Sequence, residues 1–512
     1  MPNRRIRLSS TITAGAVRSW APTLALALAT MLCTWVFGVP RYGAPDEIAH
    51  TTKAYGTAHG ETIGSPVPDN SPLIRYFDVP AEMISGDACF AFHPEVNASC
   101  AITVKDPRII SYATTAGTYP PEYYAVVGGI ARLLRTERSV ASYRLISALV
   151  GAALLTLALW LLRRAAGRKA ALALIALNPM TIFIIASTNP ASTELAGTLL
   201  LWAYVAAMLT GERVAGRRQL LLASTIGAAV VLVRPVALPW VVIALGTFLL
   251  LERRPLTTDR RSSMRLLLGC SAPLAVAVVL SAMWSRYAGV TLTDDKYVVS
   301  DSTVAIFRVG VGRTSELFRQ AFGELGWLDT QLPTPTYALW MICLVLIGVL
   351  VAFCDERRIK LTLAAIGAIW VFYPALYVVL AKTPSVWQGR YNLPLLGGVV
   401  LCGLLSVRSS QSMSHGPRQA DAITRFCAAS WVIIEVVAFY QTLRRFMVGS
   451  GGSLLLRGGW EPPINAWLLI VANAATAAVI AWLMTRLPAE PVRPSLRHDR
   501  RSRGPAVPVG TA

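Results

Sequence analysis

Charge is what this sequence has least of. Only 15% of its 512 residues are Asp, Glu, Lys or Arg, and just 28 of them are acidic. A soluble chain of this size carries about 25% charged residues, so an ordinary water-soluble globular protein is excluded. Recognisable catalytic signatures are missing too. There is no Gly-rich phosphate loop, no His-Glu-x-x-His and no Cys-x-x-Cys pair, which removes the commonest nucleotide, zinc and dithiol motifs.

What is present is apolar. Hydrophobic residues make up 54% of the chain and mean hydropathy is +0.51. Runs of span length recur, and in a bilayer such runs satisfy their backbone only as helices. The expectation is an all-α polytopic membrane protein with about twelve transmembrane helices. They fall near 20–39, 140–162, 170–187, 191–210, 219–233 and 236–252, then 264–284, 336–354, 361–381, 391–407, 426–443 and 465–485. A cytoplasmic basic tail (1–18) precedes the membrane domain (19–487), and an Arg- and Pro-rich, disordered cytoplasmic tail (488–512) follows it. No small-residue cleavage site precedes Arg41, so the first run reads as an uncleaved helix. Two large outer loops are expected, 40–138 and 285–335.

The formal net charge of +20 would suggest nucleic acid in a soluble protein. Here Arg and Lys cluster in the short segments after alternate runs, which is a topology signal and not a nucleic-acid groove. It places both termini in the cytoplasm of a cell with the plasma membrane as host. Arg444, Arg445 and Arg457 fall on the outside and count against the map. The run from Tyr119 to Leu134 is too short to span and would invert every later loop if it did, so it is laid along the outer interface as a juxtamembrane helix. Six of the eight cysteines lie in or beside apolar runs and read as packed thiols. Cys89 and Cys100 share the first loop; they form a disulfide if that loop meets an oxidising compartment, and are two free thiols otherwise.

This map leaves a set of unusual polar residues on one face. Asp46 and Glu47 follow Pro45 directly after the first run, and His50 lies one helical turn beyond Asp46. Such carboxylates can cap a helix, deprotonate a hydroxyl, or hold a divalent cation with His50 as a further ligand. Asn189 precedes Pro190 at the tip of another run, which also fits a simple turn. Arg234 and Arg390 can bind a phosphate or snorkel to headgroups. Glu324 and Trp327 occupy a Gly-containing loop, where Trp327 can stack on a sugar or anchor at the interface. Tyr123, on the juxtamembrane helix, completes the substrate-binding set.

Taken in order, Pro45-Asp-Glu-Ile-Ala-His50, Tyr119-Pro-Pro-Glu-Tyr-Tyr124, Asn189-Pro190, Arg234-Pro235, Gly326-Trp-Leu-Asp329 and Gln388-Gly-Arg-Tyr391 resemble a family of bacterial predicted membrane proteins, the domain of unknown function 2142 family. The layout is also similar to the GT-C superfamily of membrane glycosyltransferases. That resemblance implies a GT-C-like fold with juxtamembrane helices in a long first outer loop. It implies a sugar donor linked to polyprenyl phosphate and a cell-envelope glycan or lipid as acceptor. Asp46, with Glu47 beside it, would be the general base or metal ligand, and Arg390 or Arg234 would hold the lipid phosphate. Many such enzymes carry a second acidic residue where this chain has Asn189, so a role for a divalent cation (Mg or Mn) stays open. The alternative is a non-enzymatic transporter or assembly factor for lipid-linked envelope polysaccharide.

Overall fold

The computed structural model describes residues 10–68, 73–86, 88–290, 302–382, 387–409 and 416–486. Residues 1–9 of the expected basic tail and the whole expected C-terminal tail lie outside them. The rest of the first tail, 10–18, is helical and continues into the first apolar run as α1 (Ser10–Gly38).

The first loop is not purely helical. After α2 (Glu47–Ala58), strands β1 (Ser65–Pro66), β2 (Arg75–Pro80) and β3 (Ile109–Thr114) form an antiparallel sheet in the order β1-β2-β3. Arg75 pairs with Thr114 and Pro80 with Ile109 at the two ends of the longer ladder. The all-α expectation is corrected here: Ile109 to Thr114 and Arg75 to Pro80 are short runs rich in β-branched and aromatic residues, a strand signal. The short helices α3 (Ala81–Ile84) and α4 (Glu122–Leu133) complete the loop.

The bundle follows as α5 (Val140–Ala166), α6 (Pro179–Ile185), α7 (Pro190–Thr210), α8 (Arg217–Val233), α9 (Leu238–Leu251), α10 (Arg260–Cys270) and α11 (Ala272–Ala288). It continues as α12 (Thr303–Gly312), α13 (Thr314–Phe322), α14 (Thr334–Ala352), α15 (Arg357–Ala381), α16 (Leu396–Ser409), α17 (Gly416–Val448) and α18 (Ala466–Arg486). A two-stranded ribbon, β4 (Glu324–Leu325) with β5 (Thr330–Gln331), sits between α13 and α14. The second expected outer loop therefore holds two helices and a ribbon, while 291–301 lie outside the described residues.

Among the described residues, eight helical stretches are long and apolar enough to cross a membrane, or nine if α10 and α11, bent by 44°, act as one. The remaining expected spans fall on shorter pieces. The run 170–187 is a 3₁₀ segment (Gly167–Ala176) followed by α6, and 219–233 and 236–252 are α8 and α9, of 17 and 14 residues. Proline explains the breaks. Pro179 cannot donate to a helical ladder, and Asn178 ahead of it restarts the helix by accepting from the Thr181 N–H at 3.0 Å. Pro235 likewise separates α8 from α9.

A broken helix in an apolar bundle leaves carbonyls without donors, which is costly away from water. Tryptophan indoles supply them. Trp431 donates to Leu177 O at 2.6 Å, Trp340 to Ile175 O at 3.3 Å, and Trp202 to Pro394 O at 2.9 Å. All three rings are buried, so each contributes packing area and a hydrogen bond at once.

Several contacts gather helix ends on one side. Arg144 at the start of α5 bonds Glu47 and the Val36, Val39 and Pro40 carbonyls that end α1. Thr188, just before α7, donates its N–H to Glu47 at 3.1 Å. Arg234, closing α8, pairs with Glu194 in the second turn of α7. Trp284 near the end of α11 donates to Thr118 O at 2.9 Å. At the other end of the bundle, Arg358 reaches Leu250 O and Arg254 reaches Gly211 O.

Candidate functional site

The site begins with a turn that needs one unusual residue. Asp46 sits immediately before α2 with φ of 63°, in the left-handed region, and its side chain caps nothing. Aspartate tolerates this conformation better than most residues, though it still costs on the order of 1 kcal/mol. The carboxylate that ordinary capping would have occupied is turned instead toward Arg390, at 2.5 Å. The Asp46 side chain remains 45% exposed, whereas that of Arg390 is 4% exposed. The carboxylate is therefore the reachable half of the pair.

Arg390 is delivered by a 3₁₀ segment (Gly389–Leu395) that enters α16. Gly389 is required there: a Cβ at that position would lie 2.0 Å from Leu317 O of α13. The same close approach lets Gln320 accept the Gly389 N–H at 3.0 Å. Tyr391 then stands between two guanidinium groups, with Arg234 4.9 Å and Arg390 5.5 Å from its ring centre. Nη1 of Arg390 and Nε of Arg234 are buried with no hydrogen-bond acceptor. Asp46, Arg234 and Arg390 are thus one electrostatic cluster, which also reaches Tyr119 and His50.

Electrostatics follow from that packing. Burial alone would raise the Asp46 carboxyl, but the positive charge of Arg390, with Arg234 behind it, holds it below the usual carboxylate range. His50 is pushed down to about 3 because burial strips solvent from the imidazolium, an effect only partly offset by Asp46. Its Nδ1 lies 2.9 Å from the Tyr124 hydroxyl. These residues do not make a good divalent-cation site. Asp46 is engaged by a guanidinium, His50 by a phenol, and among the described residues no three His, Cys, Asp or Glu side chains converge.

Glu47 does not join Asp46. It is fully buried and turned to the far side of the α2 start, where it bonds Arg144 and the Thr188 N–H. Its position fastens three helix ends together. Asn189 caps α7 by accepting from the Ala191 N–H at 2.9 Å, as a turn would have it. Tyr123 bonds Ser147 at 2.8 Å, which in turn bonds Ser192, tying α4 to α5 and α7. Trp327 donates to Tyr42 O at 2.9 Å, in the turn that leads to Asp46. Glu324 pairs with Arg319 at 3.1 Å, apart from the cluster. Cys89 and Cys100 are joined in a disulfide.

Four residues of the neighbourhood lay outside the sequence reading. Tyr391 and Tyr119 were inside quoted motifs, but nothing singled out their rings. Arg144 carried a signal, an arginine in the first turn of an apolar run. Lys53 carried another, since positions 46, 50 and 53 lie on one face of a helix. Its Nζ donates to the carbonyls of Thr62, Gly117 and Tyr119 at 3.0, 2.6 and 2.6 Å. Burial pulls it down to about 7, while three acceptors match all three protons of the ammonium form. Lys53 thereby fixes the turn that presents Tyr119.

Residues 30–399 match the family described as predicted membrane protein (DUF2142). The chain belongs to this family. The match spans every residue of the DUF2142 cluster described above, from Asp46 to Tyr391, and stops before α17 and α18. No curated protein matches the chain.

Proposed function

We propose that this DUF2142 protein is a glycosyltransferase of the GT-C type, moving a sugar from a polyprenyl-phosphate donor to an envelope acceptor on the outer face of the plasma membrane. The observation that carries the reading is the convergence of one reachable carboxylate with two guanidiniums that keep unmet N–H groups. A sugar phosphate arriving there would take Arg390, a partner able to grip phosphate bidentately. Asp46 would then lose its counter-charge, and its pKa would rise toward that of a useful base. It would accept the proton of an acceptor hydroxyl, whose oxygen forms a bond to the anomeric carbon with inversion. The bond from that carbon to the phosphate oxygen breaks, and the electron pair leaves with the polyprenyl phosphate. Arg390 and Arg234 would stabilise the charge that develops on it.

Topology supports the placement. α5 is about 40 Å long at the ordinary helical rise, yet Thr188 bonds Glu47 beside its starting end. The intervening 3₁₀ segment and α6 must return across the same thickness. The pairing of Arg234 with Glu194 argues the same for α8. Counted this way the chain makes twelve crossings, with the arginine-rich segments opposite the site and therefore cytoplasmic. Arg445, which counted against that orientation, is a buried structural residue bonded to Phe90 O, Val96 O and Asp329, so it carries little topological weight.

The test is release of polyprenyl phosphate from a panel of polyprenyl-phosphate monosaccharides by the protein in proteoliposomes. Wild type releases it in the presence of acceptor extract, and Asp46→Asn, folded normally, loses at least 100-fold. A folded Asp46→Asn protein with full activity would overturn the role, and lipid movement without release would favour a transporter.

A further inference from the structure

A basic cleft of about 400 Å³ opens near the turn after α1, lined by residues other than those of the Asp46 cluster. Four cations line it, Arg41, Lys105, Arg135 and Arg138, against one carboxylate, Glu82. Glu82 is already spoken for by Arg138 at 3.2 Å. Arg41 is held by its own Nη2, which donates to Glu82 O at 2.9 Å and to Met83 O, and its Nε is buried without a partner. Lys105 and Arg135 make no ion pair among the described residues. Among the described residues that line it, the cleft thus sets four cations against one carboxylate.

Its surroundings are apolar and uncovered. Leu133 and Leu134, directly ahead of Arg135, are 82% and 61% exposed. Val104, which lines the cleft, is 56% exposed, and Ile102, two residues before it, is 73% exposed. Along α4 the exposed apolar face continues through Val126 and Ile130, while Tyr124, Val127, Gly128 and Ala131 are buried beneath. Gly128 lies so close to α2 that a Cβ would come 2.2 Å from Ala54 O, so α4 is pinned on its inner side, while its outer side stays exposed among the described residues. Cations flanked by exposed leucine and isoleucine are complementary to an amphiphile with an anionic head and acyl chains. Ser139, at the start of α5, also lines the cleft, where the helix dipole favours an anion.

We propose that this cleft is a binding site for the phosphodiester headgroup of an anionic phospholipid, with its acyl chains laid on the exposed face of α4. The proposal uses the membrane placement given above but not the transfer chemistry, and it stands if that chemistry fails. A phosphate bound here would bridge Arg41 of the α1–α2 turn to Arg135 and Arg138 of the α4–α5 turn. It would therefore brace the base of the segment that carries Asp46.

The experiment is native mass spectrometry of the full-length protein released from nanodiscs of equal phosphatidylglycerol and phosphatidylcholine. Wild type retains phosphatidylglycerol in at least fivefold excess. Arg135→Gln with Lys105→Gln, which breaks no ion pair, brings the ratio near unity. Leu133→Ser with Leu134→Ser lowers it as well, because the chains lose their surface. Inorganic phosphate at millimolar concentration leaves the excess in place. An unchanged ratio in the Arg135/Lys105 variant overturns the proposal. So does displacement by inorganic phosphate together with indifference to the leucine changes, which would mark a free-anion site. Polyprenyl-phosphate release, measured in parallel, separates failure here from failure of the transferase reading.

Discussion

Asp46 and Glu47 are adjacent carboxylates, similarly placed in sequence, yet the structure gives them opposite jobs. Glu47 is fully buried, accepts Nε of Arg144 at 2.7 Å and the Thr188 N–H at 3.1 Å. Replacing it with Ala leaves the Arg144 guanidinium buried, with only carbonyls as partners. Removing one partner of a buried pair costs about 3–5 kcal/mol, and the orphaned Thr188 N–H adds about 1 kcal/mol. The three helix ends joined there would come apart first. Asp46 is half-exposed, but Arg390 is buried, so removing Asp46 also strands a guanidinium and costs about 1–3 kcal/mol, less than Glu47, whose loss orphans the Thr188 N–H as well. Size-exclusion chromatography after a heat challenge in detergent reads the difference. Glu47→Ala should lose its monodisperse peak well below wild type, with Asp46→Ala falling between the two. Arg144→Met combined with Glu47→Gln should recover part of the loss, since an uncharged pair needs no counter-charge. The reasoning fails if Asp46→Ala proves the unstable variant, or if Glu47→Ala is as stable as wild type.

Other outcomes follow from the same geometry. His50 is held neutral in the folded chain, facing Asp46, Arg234, Arg390, Lys53 and Tyr124. The unfolded chain binds a proton near pH 6.5, so the stability this site contributes is complete above that pH. It is lost as pH falls toward about 3, and His50→Gln should flatten the acid side of a melting profile. Reducing Cys89–Cys100 frees a loop that Arg445 grips at Phe90, His93 and Val96. A loss of about 2–3 kcal/mol is expected, checked by melting with and without reductant. Glu435 is wholly buried in α17 with neither oxygen bonded. Glu435→Leu should stabilise the protein by about 1–3 kcal/mol in the same assay.

Much of this was legible in the chain. The apolar runs, the arginine clusters and the prolines mark most of the helices and their breaks. The motifs around Asp46, Arg234 and Arg390 are hundreds of residues apart in sequence and still meet. What sequence spacing cannot supply is which way a side chain turns. A left-handed Asp46 rotates its carboxylate from capping to Arg390, while Glu47, one residue on, points to Arg144. Trp327 and Glu324 look site-like as loop residues, but the first bonds the Tyr42 carbonyl and the second Arg319. The sheet in the first loop was missed because β2 and β3 are separated by 28 residues of mixed composition, and their pairing is a long-range event.

The central claim is that Asp46 and a lipid phosphate compete for Arg390. Binding of sugar-free polyprenyl phosphate to the protein in nanodiscs tests it most directly. Arg390→Gln should bind at least tenfold more weakly than wild type. Asp46→Asn should bind about two- to fivefold more tightly, the equivalent of losing a competing ion pair worth up to about 1 kcal/mol. Equal affinity in all three proteins would contradict the account.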